Sequence, residues 1–308
     1  MSVETYGPEA ADAPSYRYDM DEAERTERVE AFLESVGEER LAKFGRLICV
    51  LVEADHPLAD GGRGTEREQF DIAFPDYHQG PDDMRQGYDP YDSKSTFFVG
   101  IDLKERVISG VGRMMTKSES PKHSIKVIDD LKARKDNEVT EASVQEQFAV
   151  EDLNTVVEFG TIVVPKEYRG TAYNFQASTL LYRSMMHYCR CKKAEAVVTI
   201  LDEHAAGILD FLGVPFDKLE GAPEVVNDYM GSKKSYAKGG LVKDMEPAVF
   251  KRAAKHLVEA FKPSNMQDRR KFKKLIGSAV IGFKMATGVG LDKNIFFASD
   301  LEDQQLAA

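Results

Sequence analysis

The chain has 308 residues, 42% of them apolar, enough to bury the core of one large or two small domains. Its net charge of −11 argues against nonspecific nucleic-acid binding over most of its surface, and no apolar run reaches the roughly 20 residues of a membrane span. Three cysteines, Cys49, Cys189 and Cys191, are an odd and sparse set with no His or Cys cluster beside them; they predict a reducing cytoplasm, structural thiols and no metal.

Residues 1–17 are polar and lack the basic and apolar blocks of a secretory signal, so a loosely attached tail is expected. From Asp21, the spacing of Val29, Phe32, Leu33 and Val36 predicts an amphipathic helix ending near Gly37, and Glu38 to Phe44 starts another. Leu47 to Glu53 (LICVLVE) either finishes that helix or forms a first strand, the reading preferred here. His56 to Gly64 (HPLADGGRG) reads as a loop and Thr65 to Phe74 as a short helix. Gly80 to Ser93 (GPDDMRQGYDPYDS) is rich in turn formers and acids. It leads into an antiparallel hairpin, Thr96 to Leu103 and Arg106 to Met115. Asp89 and Asp92 stand just before the hairpin, where a turn or cap role is open to both. The polar, charge-mixed stretch from Thr116 to Asp152 holds a short strand or helix in HSIKVIDDLKARKD and a further helix in NEVTEASVQEQF.

Val156 to Val164 is β-branched and apolar, the pattern of a buried strand closed by Pro165. After Tyr168-Arg169-Gly170 the spacing of Ala177, Leu180, Leu181, Ser184, Met185 and Tyr188 predicts a one-faced helix, followed by a buried strand, Glu195 to Leu201. A helix from Ala205 to Leu212 ends at Gly213. Strand, turn, helix, strand implies a parallel pair with a right-handed crossover, and a helix N-terminus beyond the first strand suited to phosphate. After Phe216 the chain reads as loop until Tyr236 to Lys243, the expected last strand. Pro247 opens a helix with Val249, Phe250, Ala253, Leu257, Val258 and Phe261 on one face, and Asn265 to Ala286 predicts another.

The run VxPxYRG, a helical LL, the VVTIL strand and HAAGILDFLGV resembles the acyl-donor half of the GCN5-related N-acetyltransferase (GNAT) superfamily. The resemblance implies an α/β fold: a GNAT-like mixed, mostly antiparallel twisted sheet flanked by helices, over 46–246, with helical extensions at 1–45 and 247–308. It also implies that a thioester on a phosphopantetheine arm binds at Ile162, Val163 and Val164 and at the loop Arg169, Gly170, Thr171, Ala172, Tyr173 and Asn174. That loop is longer and poorer in glycine than the family's, which points to acyl carrier protein rather than coenzyme A as donor. No permanently bound cofactor is implied.

Asp-x-x-Asp before a strand (Asp89, Asp92), a second strand holding Gly112-Arg113, and Glu158 on a later strand are similar to the autoinducer-synthase and long-chain N-acyl amino acid synthase branch of that superfamily. The branch moves a fatty acyl group from acyl carrier protein to an amine. Two features depart from the acyl-homoserine lactone synthases: Thr161 replaces their second-motif arginine, and the chain has no Trp. An amino acid or other small amine is therefore the implied acceptor. The resemblance makes Glu158 the base and Arg113 the group that binds an acceptor carboxylate or pairs with Asp89 and Asp92. At the family's leaving-group tyrosine this chain has Leu209. The basic run Arg269, Arg270, Lys271, Lys273 and Lys274 is either a solvated charge run or a dock for an acidic carrier protein. An acetyl-coenzyme A transferase and a non-catalytic GNAT-like binding module are the alternative readings.

Overall fold

A computed structural model describes residues 16–76, 80–134, 137–169 and 176–306. In chain order the elements are α1 (Glu22–Val36), α2 (Glu38–Ala42), β1 (Leu47–Glu53), α3 (Pro57–Ala73), α4 (Pro81–Asp92), β2 (Ser95–Asp102), β3 (Val107–Met115), α5 (Lys126–Lys132), α6 (Glu141–Phe148) and β4 (Val156–Val163). They continue as α7 (Gln176–Cys191), β5 (Ala196–Asp202), α8 (Glu203–Leu212), β6 (Asp217–Lys218), β7 (Val226–Tyr229), β8 (Ser232–Leu241), α9 (Val242–Ala260), α10 (Pro263–Gln267), α11 (Arg269–Thr287), β9 (Ile295–Phe297) and α12 (Ala298–Leu306).

The strands form one mixed sheet in the order β6-β8-β5-β4-β3-β2-β1-β9, with β7 on β8. Only β4–β5 and β1–β9 pair parallel; the other ladders are antiparallel, as expected. One face packs on α7 through Phe98, Met114, Val157 and Met185. The opposite face is apolar at two places, under α1 and α3 (Val99, Val111) and beside α5 and α6 (Val156, Val198). Between those two clusters lies the polar site described below.

Local chemistry explains most element ends. Asp21 and Glu24 form a reciprocal cap on α1, Asp202 caps α8 by accepting from the Ala205 amide at 2.8 Å, and Gly213 closes α8 in the left-handed region. Where expectation and structure differ, packing is the reason. The supposed loop His56–Gly64 belongs to α3: His56 caps it, Pro57 takes its first turn, and Gly61 and Gly62 let it lie close on the sheet. A Cβ at those two positions would stand 3.1 Å from Ile108 and 3.2 Å from Phe97.

The turn-rich stretch before β2 is likewise a helix, α4, with Pro81 in its first turn and Asp83 accepting from the Gly80 amide. In the stretch read as loop after Phe216, β6 and β7 add short strands. The helix expected to open at Pro247 begins at Val242, and Asp268 divides the next expected helix into α10 and α11 by capping the latter. The sheet does not end at β8, since β9 adds a parallel strand beside β1. Just past the expected loose tail, Tyr18 and Met20 are buried; of the tail itself, residues 1–15 lie outside the described set.

Candidate active site

The site grows from a bulge in β4. Met114 faces Phe159 and Arg113 faces Thr161, so Gly160 is an extra residue on β4. The insertion shifts the alternation of β4, and Glu158 and Thr161, three apart in sequence, fall on the same face as Arg113 and Met115. A side chain at Gly160 would put its Cβ 2.5 Å from the Met115 Cε, which explains the glycine.

On that face Arg113 is fully buried. Its Nη2 donates to Glu66 Oε2 of α3 at 2.6 Å and to the Tyr18 hydroxyl at 3.0 Å, and its guanidinium lies 4.0 Å from the Tyr88 ring centre and 4.5 Å from that of Phe97. The Tyr18 hydroxyl donates to Asp92 Oδ2 at 2.9 Å, and Arg63 grips the same carboxylate through Nε at 3.1 Å and Nη2 at 2.9 Å. The Nη1 of Arg113 stands 4.0 Å from Asp92 Oδ1. Two arginines and two carboxylates thus share one dry compartment. Burial opposes the charge on Arg113, but Glu66, Tyr18 and Asp92 together hold its pKa above the ordinary value; burial likewise pushes Glu66 up, against the pull of Arg113. Nε and Nη1 of Arg113 and Oε1 of Glu66 have no hydrogen-bond partner among the described residues. Such buried orphans are costly and call for a cause, of which a polar ligand is one.

Glu158 forms the other half. It is buried, and its Oε2 accepts from the Val127 amide in the first turn of α5 at 2.7 Å. Desolvation pushes its carboxyl up to about 8, against the pull of Lys126 and with Asp130 adding to the rise. Lys126 is also buried; its ammonium pairs with Asp130 and stands 5.1 Å from the Tyr88 ring centre. Asp130 accepts in addition from the Tyr229 hydroxyl at 2.7 Å. The ring of Tyr88 therefore touches both halves, and its hydroxyl lies 3.3 Å from that of Thr161.

Of the residues singled out in the sequence, the structure brings Asp92, Arg113 and Glu158 to this one face. Asp89 is not among them: on helical backbone it turns to solvent, and its carboxyl is raised by partial burial and by Asp92. Arg63, Glu66, Tyr18, Tyr88 and Lys126 were missed. Asp60, Arg63 and Glu66 recur every three residues, a stripe visible in the sequence only to a reader who takes the glycine-rich stretch as helix.

On the expected donor side, β4 and β5 pair only at Val156–Glu158 with Ala196–Val198. Past that point β5 stays on β8 to Asp202 while β4 runs on through Val163, and the Thr199 hydroxyl donates to the Phe159 carbonyl at 2.8 Å where the ladder stops. The two parallel strands part there. Ile162 and Val163 are half-buried and Val164 is buried just past the parting. Arg169 is exposed and held by the protein at two of its nitrogens: its Nε donates to the Val164 carbonyl and its Nη2 to Gln69 at 3.1 Å. Gly170, Thr171, Ala172, Tyr173 and Asn174 lie outside the described residues. Leu209 is buried in the core, while Tyr182 of α7 has its phenol pushed up to about 12 by burial and by Asp202. An open cleft of about 320 Å³, lined by Glu53, Thr96, Tyr188 and Lys192, lies at the other end of β4 and holds none of these groups.

No family model matches the chain, and no curated protein matches it. Among solved structures it is similar to a coenzyme A-dependent acyl-homoserine lactone synthase, BjaI, with S-adenosylmethionine and isopentyl-coenzyme A. Identity is 13% and the TM-score 0.48, over 83% of this chain and 98% of that one. It is similar also to FeeM, an N-acyl amino acid synthase from uncultured soil microbes, at 12% identity and a TM-score of 0.42, over 66% and 94% of the two chains. A GNAT-family acetyltransferase from Streptococcus pneumoniae follows at 12% and 0.37, over 63% and 98%. At these identities and TM-scores the likenesses assign neither a family nor the role of any residue.

Proposed function

We propose that this chain is an N-acyltransferase. It moves an acyl group from a phosphopantetheine thioester, carried on acyl carrier protein, to the amine of a small molecule with a carboxylate, such as an amino acid. The observation that carries this reading is the meeting, on one sheet face, of an arginine with two unpartnered donors and a glutamate that holds its proton up to about pH 8. The acceptor carboxylate takes Nε and Nη1 of Arg113, as a bidentate clamp. The acceptor ammonium gives its proton to ionised Glu158, a base matched to near-neutral operation. The free amine then attacks the thioester carbonyl; the C–N bond forms, the C–S bond breaks, and the proton that the new amide nitrogen sheds balances the one the departing thiolate takes up. Backbone amides where β4 parts from β5, near Ile162–Val164, stabilise the oxyanion. Tyr182 is the phenol available to protonate the thiolate, a task for which Leu209 has no chemistry.

Arg169, held by Gln69 and the Val164 carbonyl, offers little to a coenzyme A pyrophosphate, which supports a carrier-protein arm over coenzyme A. Three free thiols, two of them buried, suit a reducing cytoplasm. Intact mass spectrometry of small molecules extracted from an expressing host tests the reading. N-acyl amines that vanish with Glu158→Gln are expected; an extract unchanged by expression overturns it. Purified protein given acyl-coenzyme A or acyl carrier protein separates the two donors.

A further inference from the structure

The hairpin of α9 and α11 has a chemistry unlike the rest of the chain. Residues 242–288 hold eleven Lys and Arg against four Asp and Glu, a net +7, while the remainder of the chain carries −18. One side of the hairpin packs on the body through Val249 and Met285, which cluster with Leu212 of α8, while Gly282 of α11 lies against Ala253 of α9 between the two helices. The other side is apolar and open. On α9, Phe250, Leu257, Val258 and Phe261 lie within one arc of the helix and are 47%, 38%, 68% and 57% exposed. They meet a matching row on α11, with Phe250 edge-on to Phe283 at 5.2 Å and Phe261 edge-on to Phe272 at 5.8 Å; Val280, 48% exposed, continues that row. Helical spacing sets Lys251, Lys255 and Lys262 along the α9 margin of this seam and Lys273 and Lys284 along the α11 margin.

We propose that this face docks the chain on the anionic surface of a lipid bilayer. An apolar strip of phenylalanine and valine between rows of lysine fits the boundary between acyl chains and headgroups: the strip enters the hydrocarbon edge and the lysines meet anionic headgroups. No helix among the described residues is long and apolar enough to cross a membrane, so the contact is peripheral. An acidic protein would use the lysines but leave the exposed aromatic seam without a partner. Lys274 lies over Phe211, 4.9 Å from its centre, near the C-terminal end of α8, whereas the parting of β4 from β5 adjoins the strand that feeds the N-terminal end of that helix. The basic segment thus sits away from the point where a carrier protein would deliver its thioester. The inference does not depend on acyl transfer, since vesicle binding is read without turnover.

The test is flotation of the full chain with phosphatidylcholine vesicles, with and without phosphatidylglycerol, at low and high salt. Binding that requires the anionic lipid and weakens with salt is expected. Val258→Ser with Phe261→Ser, or Lys251→Glu with Lys262→Glu, lowers the partition coefficient roughly tenfold or more, because each removes one of the two contributions. Phe261 gives up its edge contact with Phe272 and Lys262 its pairing with Glu259, so a small fall of the unfolding midpoint is expected, and binding is compared at a temperature where every variant is folded. No flotation with anionic vesicles at low salt overturns the proposal, as does flotation that the serine pair leaves unchanged. If the chain instead forms a dimer that the serine pair dissociates, or binds an acidic carrier protein through the lysines, while vesicles remain bare, the surface belongs to a protein contact.

Discussion

Replacing Glu158 by Gln probes the centre of the site through stability alone. The substitution keeps an oxygen to accept from the Val127 amide and abolishes the titration. In the native state the carboxyl loses its proton near pH 8, against an ordinary value of 4.5. Below the lower value both folded and unfolded chains are protonated there, and no difference arises. Between the two values the native state keeps a proton that the unfolded chain has released, so stability falls as pH rises. At 1.36 kcal/mol per pKa unit the loss is about 3 kcal/mol at pH 7 and approaches about 5 kcal/mol above pH 8. Denaturant unfolding of both proteins at several pH values from about 5 to 8.5 measures it. The Gln variant is expected to gain on the wild type steadily across that range, by several kcal/mol in total. A stability gap that does not change with pH refutes the reasoning, because it means the carboxyl has an ordinary pKa. Where the protein also acylates an amine, the wild-type rate rises over the same interval that weakens the fold, since the base acts only once ionised.

Further substitutions bear on the rest of the site. Arg113→Met leaves Glu66 buried without its cation and is expected to cost about 3–5 kcal/mol in denaturant unfolding; adding Glu66→Gln restores much of that stability while acceptor binding stays lost. Tyr18→Phe removes the hydroxyl shared by Asp92 and Arg113, at about 1–2 kcal/mol, and shows up in the same assay. Gly160→Val forces Met115 out of its place and is expected to lower the thermal midpoint by the equivalent of about 1–3 kcal/mol, with acyl transfer falling further than stability explains.

Much of the sheet was legible in the sequence because its strands are written in runs the chain does not use elsewhere. TFFVGIDL and VVTIL are apolar, β-branched runs of strand length, whereas LICVLVE fits the end of a helix as well as a strand. Glu158 and Arg113 were singled out by the motif resemblance and not by any local pattern. The α3 contribution was hidden, since three glycines in eight residues signal a loop unless the sheet beneath them is known; the same glycines exist to let the helix come near Phe97 and Ile108. Asp89 and Asp92 looked equivalent because linear spacing does not say which carboxylate faces inward on a helix. The burial of Tyr18 was invisible for a different reason: its partners Asp92 and Arg113 lie 74 and 95 positions away, and local pattern holds no trace of them.

The extra residue in β4 changes how this strand tolerates altered length. Removing Gly160 would return the segment beyond it to the ordinary two-residue rhythm and rotate Thr161 and Val163 toward α7, with Ile162 sent the opposite way. A shortening by one residue, harmless in a surface loop, would here leave Glu158 in place but take Thr161 away from Tyr88 and from the face that holds Arg113, and should be worse tolerated than any replacement at the same position.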